Sequence, residues 1–151
     1  MNPRAFIAAD LDRRRPQVLA ELHPDLRAKV AAIVDELGGR LAPYCGFRGP
    51  EDQAKALAAG ASAARFGESP HNFSPALACD LVLDPRHVAV GFVPSAPTWP
   101  NLWDEETPEA LAAWEALERA AFTHGLERVN VRGRRDRPHV QMPNWRSLIV
   151  S

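Results

Sequence analysis

Only two cysteines, Cys45 and Cys79, occur in this chain of 151 residues, which excludes a disulfide framework. Both stand in apolar contexts without CxxC-type spacing, so they read as reduced core residues rather than zinc-finger ligands. An excess of charge is lacking too: 18 Lys and Arg face 19 Asp and Glu, for a formal net charge of −1. Nothing here holds a polyanion by field alone, and no nucleic-acid partner is expected. No apolar run approaches the ~20 residues that span a bilayer. Met1-Asn2-Pro3-Arg4 opens no signal-peptide core. The expectation is therefore synthesis in the cytoplasm without a signal peptide, no membrane span, and release by a separate system if the protein acts outside.

What is present fits a globular protein, with 46% hydrophobic and 25% charged residues. The length suits one domain with a real core. Residues 1–22 are polar and Arg-rich and read as an arm packed on a single domain over 23–151. The arginines cluster at Arg13-Arg14-Arg15 and again at Arg132, Arg134, Arg135 and Arg137. A solvated face explains both clusters more simply than an anion site.

Leu26, Val30, Ile33, Val34 and Leu37 recur at helical spacing, and Gly38-Gly39 follows as a stop. Leu41 to Phe47 reads as a short strand, placed at an edge by Pro43. Pro50-Glu51-Asp52 then opens a helix that Gly60 closes. Ala76 to Leu83 is the most apolar run of the middle of the chain, and its length suits a buried strand. Residues 86–106, with Phe92, Pro94, Pro97, Trp99, Pro100 and Trp103, form a long insertion that either serves function or covers a sheet edge. Thr107-Pro108 starts a helix whose expected buried face is Leu111, Trp114, Leu117 and Ala121. Val129 and Val131, and then Val140 and Met142, suggest two strands flanking Arg132–Pro138. The pattern is an α+β domain, helices around a small antiparallel sheet.

The chemistry-bearing residues fall in two distant stretches. Gly67 to Asp80 carries His71 and Asp80; Asp136-Arg137-Pro138-His139 carries a second His with an acid three residues before it. A carboxylate inside an apolar strand must be paired, protonated or metal-bound, and for Asp80 a salt bridge to an arginine also fits. Two imidazoles and one carboxylate suffice for a catalytic zinc site with one position left to water. Asp136 is then a spare acid able to move a proton, or else a turn cap. Arg48, after a strand and before a helix, could hold a substrate carboxylate or an oxyanion, or pair with Glu51 or Asp52. Ser69 could bind substrate, orient His71 or cap a turn.

Taken together, Tyr44-Cys45-Gly46-Phe47-Arg48 with Gln53, Gly67-x-Ser69-x-His71-Asn72 with Ala78-x-Asp80, and Asp136-x-Pro138-His139 resemble a known family. It is the zinc D-alanyl-D-alanine carboxypeptidase and L-alanyl-D-glutamate endopeptidase family, which includes phage endolysins and vancomycin-resistance dipeptidases on the Hedgehog/DD-peptidase fold. The match runs over roughly residues 23–145. The resemblance implies one Zn2+ held by His71, Asp80 and His139, with Asp136 as the catalytic acid. It places Arg48 at the transition-state arginine, also facing substrate, and Ser69 on the substrate side. The implied protein is a monomeric peptidoglycan hydrolase acting on stem peptides, first as a phage-type endolysin cutting L-Ala–D-Glu. A D-alanyl-D-alanine carboxypeptidase or dipeptidase is the alternative, and a catalytically silent wall-binding or phage structural module is the alternative outside enzymes. The chain departs from the family pattern in two places. The turn between His71 and Asp80 is longer than in many members, around Ser74-Pro75. Val140-Gln141 stands where many members have an aromatic residue and Glu.

Overall fold

The computed structural model describes residues 3–93 and 96–149, so expectations placed on Met1, Asn2 and Pro94 lie outside the described residues. In chain order the elements are α1 (Pro3–Glu21), α2 (Pro24–Glu36), β1 (Leu41–Cys45), α3 (Pro50–Ala58), β2 (Ala78–Leu83), β3 (Phe92–Val93), β4 (Ala96–Pro100), α4 (Pro108–Thr123), β5 (Asn130–Val131), β6 (Arg134–Arg135) and β7 (His139–Gln141). Two 3-10 turns, Pro70–Asn72 and Trp145–Leu148, complete the described set. The fold is α+β. A three-stranded antiparallel sheet in the order β1-β2-β7 is its frame. Among the described residues no helix is long and apolar enough to cross a membrane.

The central strand β2 is the most buried element. Cys79, Leu81, Val82 and Leu83 are all fully buried. Each large apolar side chain removed from water contributes about 1.5–3 kcal/mol, enough for the strand to carry Asp80 in its middle. The edge strand β1 accommodates Pro43, and its pairing with β2 slips between Pro43 and Cys45. A proline gives no ladder hydrogen bond, so an edge is where it is tolerated.

Residues 3–21 of the expected arm form a long helix. Ile7, Leu11 and Val18, with Leu22 just beyond the helix end, are buried at helical intervals, while Arg13 and Arg15 between them are exposed and Arg14 lies over the Tyr44 ring. The helix lies on β1. Helix α2 buries Leu26, Val30, Ile33 and Val34, as its spacing predicts. Helix α4 starts where expected, with Thr107 Oγ1 accepting from the Ala110 amide at 3.2 Å. Its buried stripe, however, is Ala110, Ala113, Trp114, Leu117, Ala120 and Ala121; Leu111 is 38% exposed. Residue 111 lies one helical step (~100°) off that stripe, and the small alanines beside it let α4 approach closely.

The segment expected as one loop between paired strands is a hairpin of its own. Strand β5 pairs with β6 through a turn at Arg132 and Gly133, both at positive φ (52° and 79°). Such a turn matches the twist of a two-residue hairpin. Strand β7 pairs instead with β2. The insertion at 86–106 likewise contains a ribbon, β3 against β4. It returns to the sheet where the Leu83 amide donates to the Leu102 carbonyl at 2.9 Å. Trp103 then meets the Tyr44 ring edge-on, centroids 5.0 Å apart.

Candidate metal centre

Three strands place three chemistry-bearing residues in one row across the sheet. Cys45 on β1 pairs with Asp80 on β2, and Asp80 pairs with His139 on β7. Directly opposed residues on neighbouring strands share a face, so the row needs no loop to assemble it.

His71 reaches the row from the turn Pro70–Asn72, which is held by its own side chains. Ser69 Oγ accepts from the His71 amide at 3.2 Å, and Asn72 Oδ1 accepts from the Ser69 and Gly67 amides at 3.1 and 3.0 Å. Ser69 is therefore the cap of the turn that presents His71, and it also lines the cleft. The Arg48 amide donates to the His71 carbonyl at 2.7 Å. Asn72 Nδ2 donates to the Arg48 carbonyl and to Gln53 Oε1. Gln53, fully buried, also accepts from Arg48 Nη1 at 3.1 Å and donates to Ser62 Oγ and the Ala64 carbonyl. Every amide hydrogen-bonding atom of Asn72 and Gln53 is thus engaged, which fixes Arg48 relative to His71. Sequence reasoning had quoted Gln53 and Asn72 only as motif letters; their amides tie two separate stretches together.

The donor atoms converge. His71 Nε2 lies 3.3 Å from Asp80 Oδ1 and 3.2 Å from His139 Nδ1, and His139 Nδ1 lies 3.5 Å from the same oxygen. Donors bound at 2.0–2.1 Å to a tetrahedral zinc lie about 3.3 Å apart. The opposite nitrogen of each ring is already used. His71 Nδ1 lies 2.7 Å from the Gly46 carbonyl, which only accepts, so Nδ1 carries the hydrogen and Nε2 presents a lone pair. His139 Nε2 pairs with Gln141 Oε1 at 2.8 Å, leaving Nδ1 to face the others. Two imidazole lone pairs and a carboxylate oxygen at such separations repel unless a cation stands among them. The residues present fit a divalent ion.

Charges in the site agree with that reading. Burial alone would raise the Asp80 carboxyl. The His71 charge and hydrogen bonds from His139 and His71 prevail and hold it well below the usual carboxylate range. Burial disfavours the charged form of His139, yet its hydrogen bond to Asp80, the Asp80 charge, the Gln141 bond and the Asp136 charge together raise its pKa. The second Asp80 oxygen, Oδ2, faces Arg48 Nη2 at 3.4 Å. Asp80 is therefore both among the converging donor atoms and paired with an arginine.

Cys45 is the residue that sequence reasoning set aside. Its sulfur, His71 and Asp80 offer donor atoms all within 4.8 Å of one another, a group able to hold a metal ion. Burial and the Asp80 charge push its thiol up to about 12. Strand parity does not reveal it: alternation puts Cys45 with Leu41 and Pro43, and only the slip in pairing between Pro43 and Cys45 sets it opposite Asp80. Cys79 points into the core, and both thiols are free.

His71, Asp80 and His139 line a cleft of about 540 Å³ that also includes Arg48, Ser69, Trp103, Asp136 and Arg146. The Asp136 carboxyl is half-buried, and burial and the Asp80 charge raise its pKa against the pull of His139, His71 and Arg128. A second hollow of about 450 Å³ adjoins, sharing Asp136, Pro138 and Trp103 and adding Arg134, Arg135 and Arg137. Asp136 thus lines both hollows. Of the basic cluster there, Arg135 pairs with Glu118 and Arg137 with Glu106.

No family model matches the chain, and no curated protein matches it significantly. Among solved structures, the crystal structure of the Serratia marcescens L-Ala D-Glu endopeptidase ChiX resembles it with a TM-score of 0.57 at 22% sequence identity, covering 89% of this chain and 90% of that chain. The likeness establishes a shared fold.

Proposed function

We propose that the protein is a zinc metallopeptidase that hydrolyses peptidoglycan stem peptides, with residues 23–151 as the peptidase domain and 1–22 as an arm packed on it. The observation that carries the reading is the triangle of donor atoms from His71, Asp80 and His139, with edges of 3.2–3.5 Å, in the same cleft as Asp136. The fold shared with an L-Ala D-Glu endopeptidase supports the substrate class. Zinc at these ligands supplies Lewis acidity toward a carbonyl and a more acidic water. The raised pKa of Asp136 suits a group that takes a proton from the attacking water and returns it to the departing amine. Arg48, held by Gln53 and Asp80, is aimed to share the charge that develops on the carbonyl oxygen. Ser69 acts here by capping the His71 turn and lies close enough to the cleft to meet substrate.

The fold shared with an L-Ala D-Glu endopeptidase, and a second hollow adjoining the cleft at Asp136, favour an endopeptidase cutting L-Ala–D-Glu as a phage-type endolysin would, over a D-alanyl-D-alanine carboxypeptidase or dipeptidase. The test is Asp136→Ala, assayed for bound zinc and for lysis of purified cell walls. Zinc retained with lysis lost is the expected result; undiminished lysis rejects Asp136 as the proton carrier. Mass spectrometry of the wild-type digest then decides the bond. New N-terminal D-Glu is expected, and loss of terminal D-Ala alone would establish the carboxypeptidase instead. Zinc binding without any cleavage would favour a silent wall-binding module.

A further inference from the structure

His139 can serve as a metal donor through Nδ1 only if its hydrogen sits on Nε2. Its Nε2 partner is the side-chain amide of Gln141, buried and 2.8 Å away. An amide is ambiguous: its oxygen accepts and its nitrogen donates, and a flip exchanges them. If Gln141 turned its NH2 toward His139, Nε2 would have to accept, and the hydrogen would move to Nδ1. A hydrogen there points at His71 Nε2 and Asp80 Oδ1 and removes the lone pair a metal needs. Gln141 by itself therefore leaves the tautomer undecided.

The next residue outward decides it. Gln141 Nε2 donates to Glu127 Oε2 at 3.2 Å. A carboxylate cannot donate, so a flipped Gln141 would set oxygen against oxygen. The pairing does not depend on chance side-chain reach. Residues 127 and 141 form an antiparallel bridge, with the Glu127 amide donating to the Gln141 carbonyl at 2.9 Å and the Gln141 amide to the Glu127 carbonyl at 3.0 Å. Next along the chain, Arg128 Nη1 donates to the His139 carbonyl at 2.5 Å and pairs with Glu118. Strand β7 is thereby fixed independently of the Glu127 side chain.

We infer that Glu127 is a positioning residue for the metal centre: through Gln141 it selects the Nε2–H tautomer of His139 and so makes Nδ1 a zinc donor. The carboxylate acts through a neutral amide. The inference rests on the zinc reading of the site. Outer partners of this kind typically govern about 10–100-fold in metal affinity. Because Glu127 is exposed, water competes for the same amide, and the lower end is expected.

The test uses three proteins: wild type, Glu127→Ala, and Glu127→Ala combined with Gln141→Glu. Zinc affinity is measured by competition with a chelator. The hydrogen bond at His139 Nε2 is read from its proton and nitrogen-15 shifts in the zinc-loaded protein, because without the ion Asp80 Oδ1 and His71 Nε2 compete for a hydrogen on Nδ1. Glu127→Ala should weaken zinc binding about tenfold and move the Nε2–H signal upfield. Adding Gln141→Glu, an acceptor that cannot flip to a donor, should restore both. A merely structural Glu127 would not be rescued in this way. Unchanged affinity and signal in Glu127→Ala, or no rescue in the double variant, overturns the inference and leaves the zinc reading in place. A wild type that binds no zinc overturns both.

Discussion

Arg48 and Asp80 meet on the side of the carboxylate turned away from the histidines: Nη2 stands 3.4 Å from Oδ2, while Oδ1 faces His71 and His139. The arginine holds the carboxylate so that one oxygen remains for the metal, and its other terminal nitrogen is held by Gln53 at 3.1 Å. Replacing Arg48 by Ala should lower kcat by about 10²–10³, the scale for loss of one donor to a developing oxyanion. Zinc content should stay near one ion per chain, since no ligand is removed. Loss of zinc in parallel with activity, measured by metal analysis of the purified variant, would assign Arg48 to holding Asp80 instead.

Gly46 couples the first helix to the site. A Cβ there would meet Leu22 Cδ2 at 3.0 Å, Glu21 Oε1 at 3.1 Å and the Val18 backbone oxygen at 3.3 Å. Its carbonyl is the acceptor that fixes the His71 ring. Gly46→Ala should therefore push the end of β1 away from α1, costing about 1–3 kcal/mol as an overpacked site does. It should also weaken zinc binding. Thermal unfolding and chelator competition check the two effects, and a variant as stable and as zinc-avid as wild type would show that the contact relaxes freely.

The metal-free protein should have a stability maximum on the acid side of neutrality. The folded-state pKa of Asp80 is depressed, so its contribution is present above the ordinary carboxylate value of ~3.9 and is lost as pH falls below it. The pKa of His139 is raised, so its contribution is full below the ordinary histidine value of ~6.5 and fades as pH rises through the higher folded value. Melting temperatures in excess chelator should peak between these values and decline toward alkaline pH. With zinc present the alkaline decline should vanish, because the ion replaces the proton, and zinc affinity should rise with pH. A chelator-treated protein whose melting temperature is flat from pH 5 to pH 9 (roughly the range spanned by the histidine step) would contradict this account.

Both thiols should titrate in denatured, unreduced protein, since neither is paired. In the native metal-free protein Cys45 should alkylate far more slowly than a free cysteine at neutral pH. Its thiol is pushed up to about 12, and the thiolate is the reactive form. Rapid native labelling that is blocked by Cys45→Ser would show a thiolate stabilised by something other than the groups around it here.

Several elements could be read from the chain because their causes are local. Helix α2 followed from the spacing of Leu26, Val30, Ile33 and Val34, and the start of α4 from Thr107-Pro108. The 3–21 helix carried the same kind of signal in Ile7, Leu11, Val18 and Leu22, hidden by the arginines between them. Leu111 was misplaced because apolar character alone does not say which of two adjacent residues faces inward. The strands expected on either side of 132–138 are present as β5 and β7, and the strand Arg134–Arg135 between them is too short to show alternation.

The amino-acid sequence by itself determined the inventory: two imidazoles, their carboxylates, an arginine before a helix, and an apolar strand that had to neutralise Asp80 somehow. Only the tertiary structure decided which atoms face one another. Cys45, Asp80 and His139 share a row because three antiparallel strands pair side by side and the β1–β2 pairing slips just before Cys45, and register is set by long-range packing. The donor nitrogen of each histidine is chosen by partners far from it in the chain, Gly46 for one and the Gln141–Glu127 pair for the other. A tautomer is fixed by what lies across the hydrogen bond, and no spacing along the polypeptide encodes that.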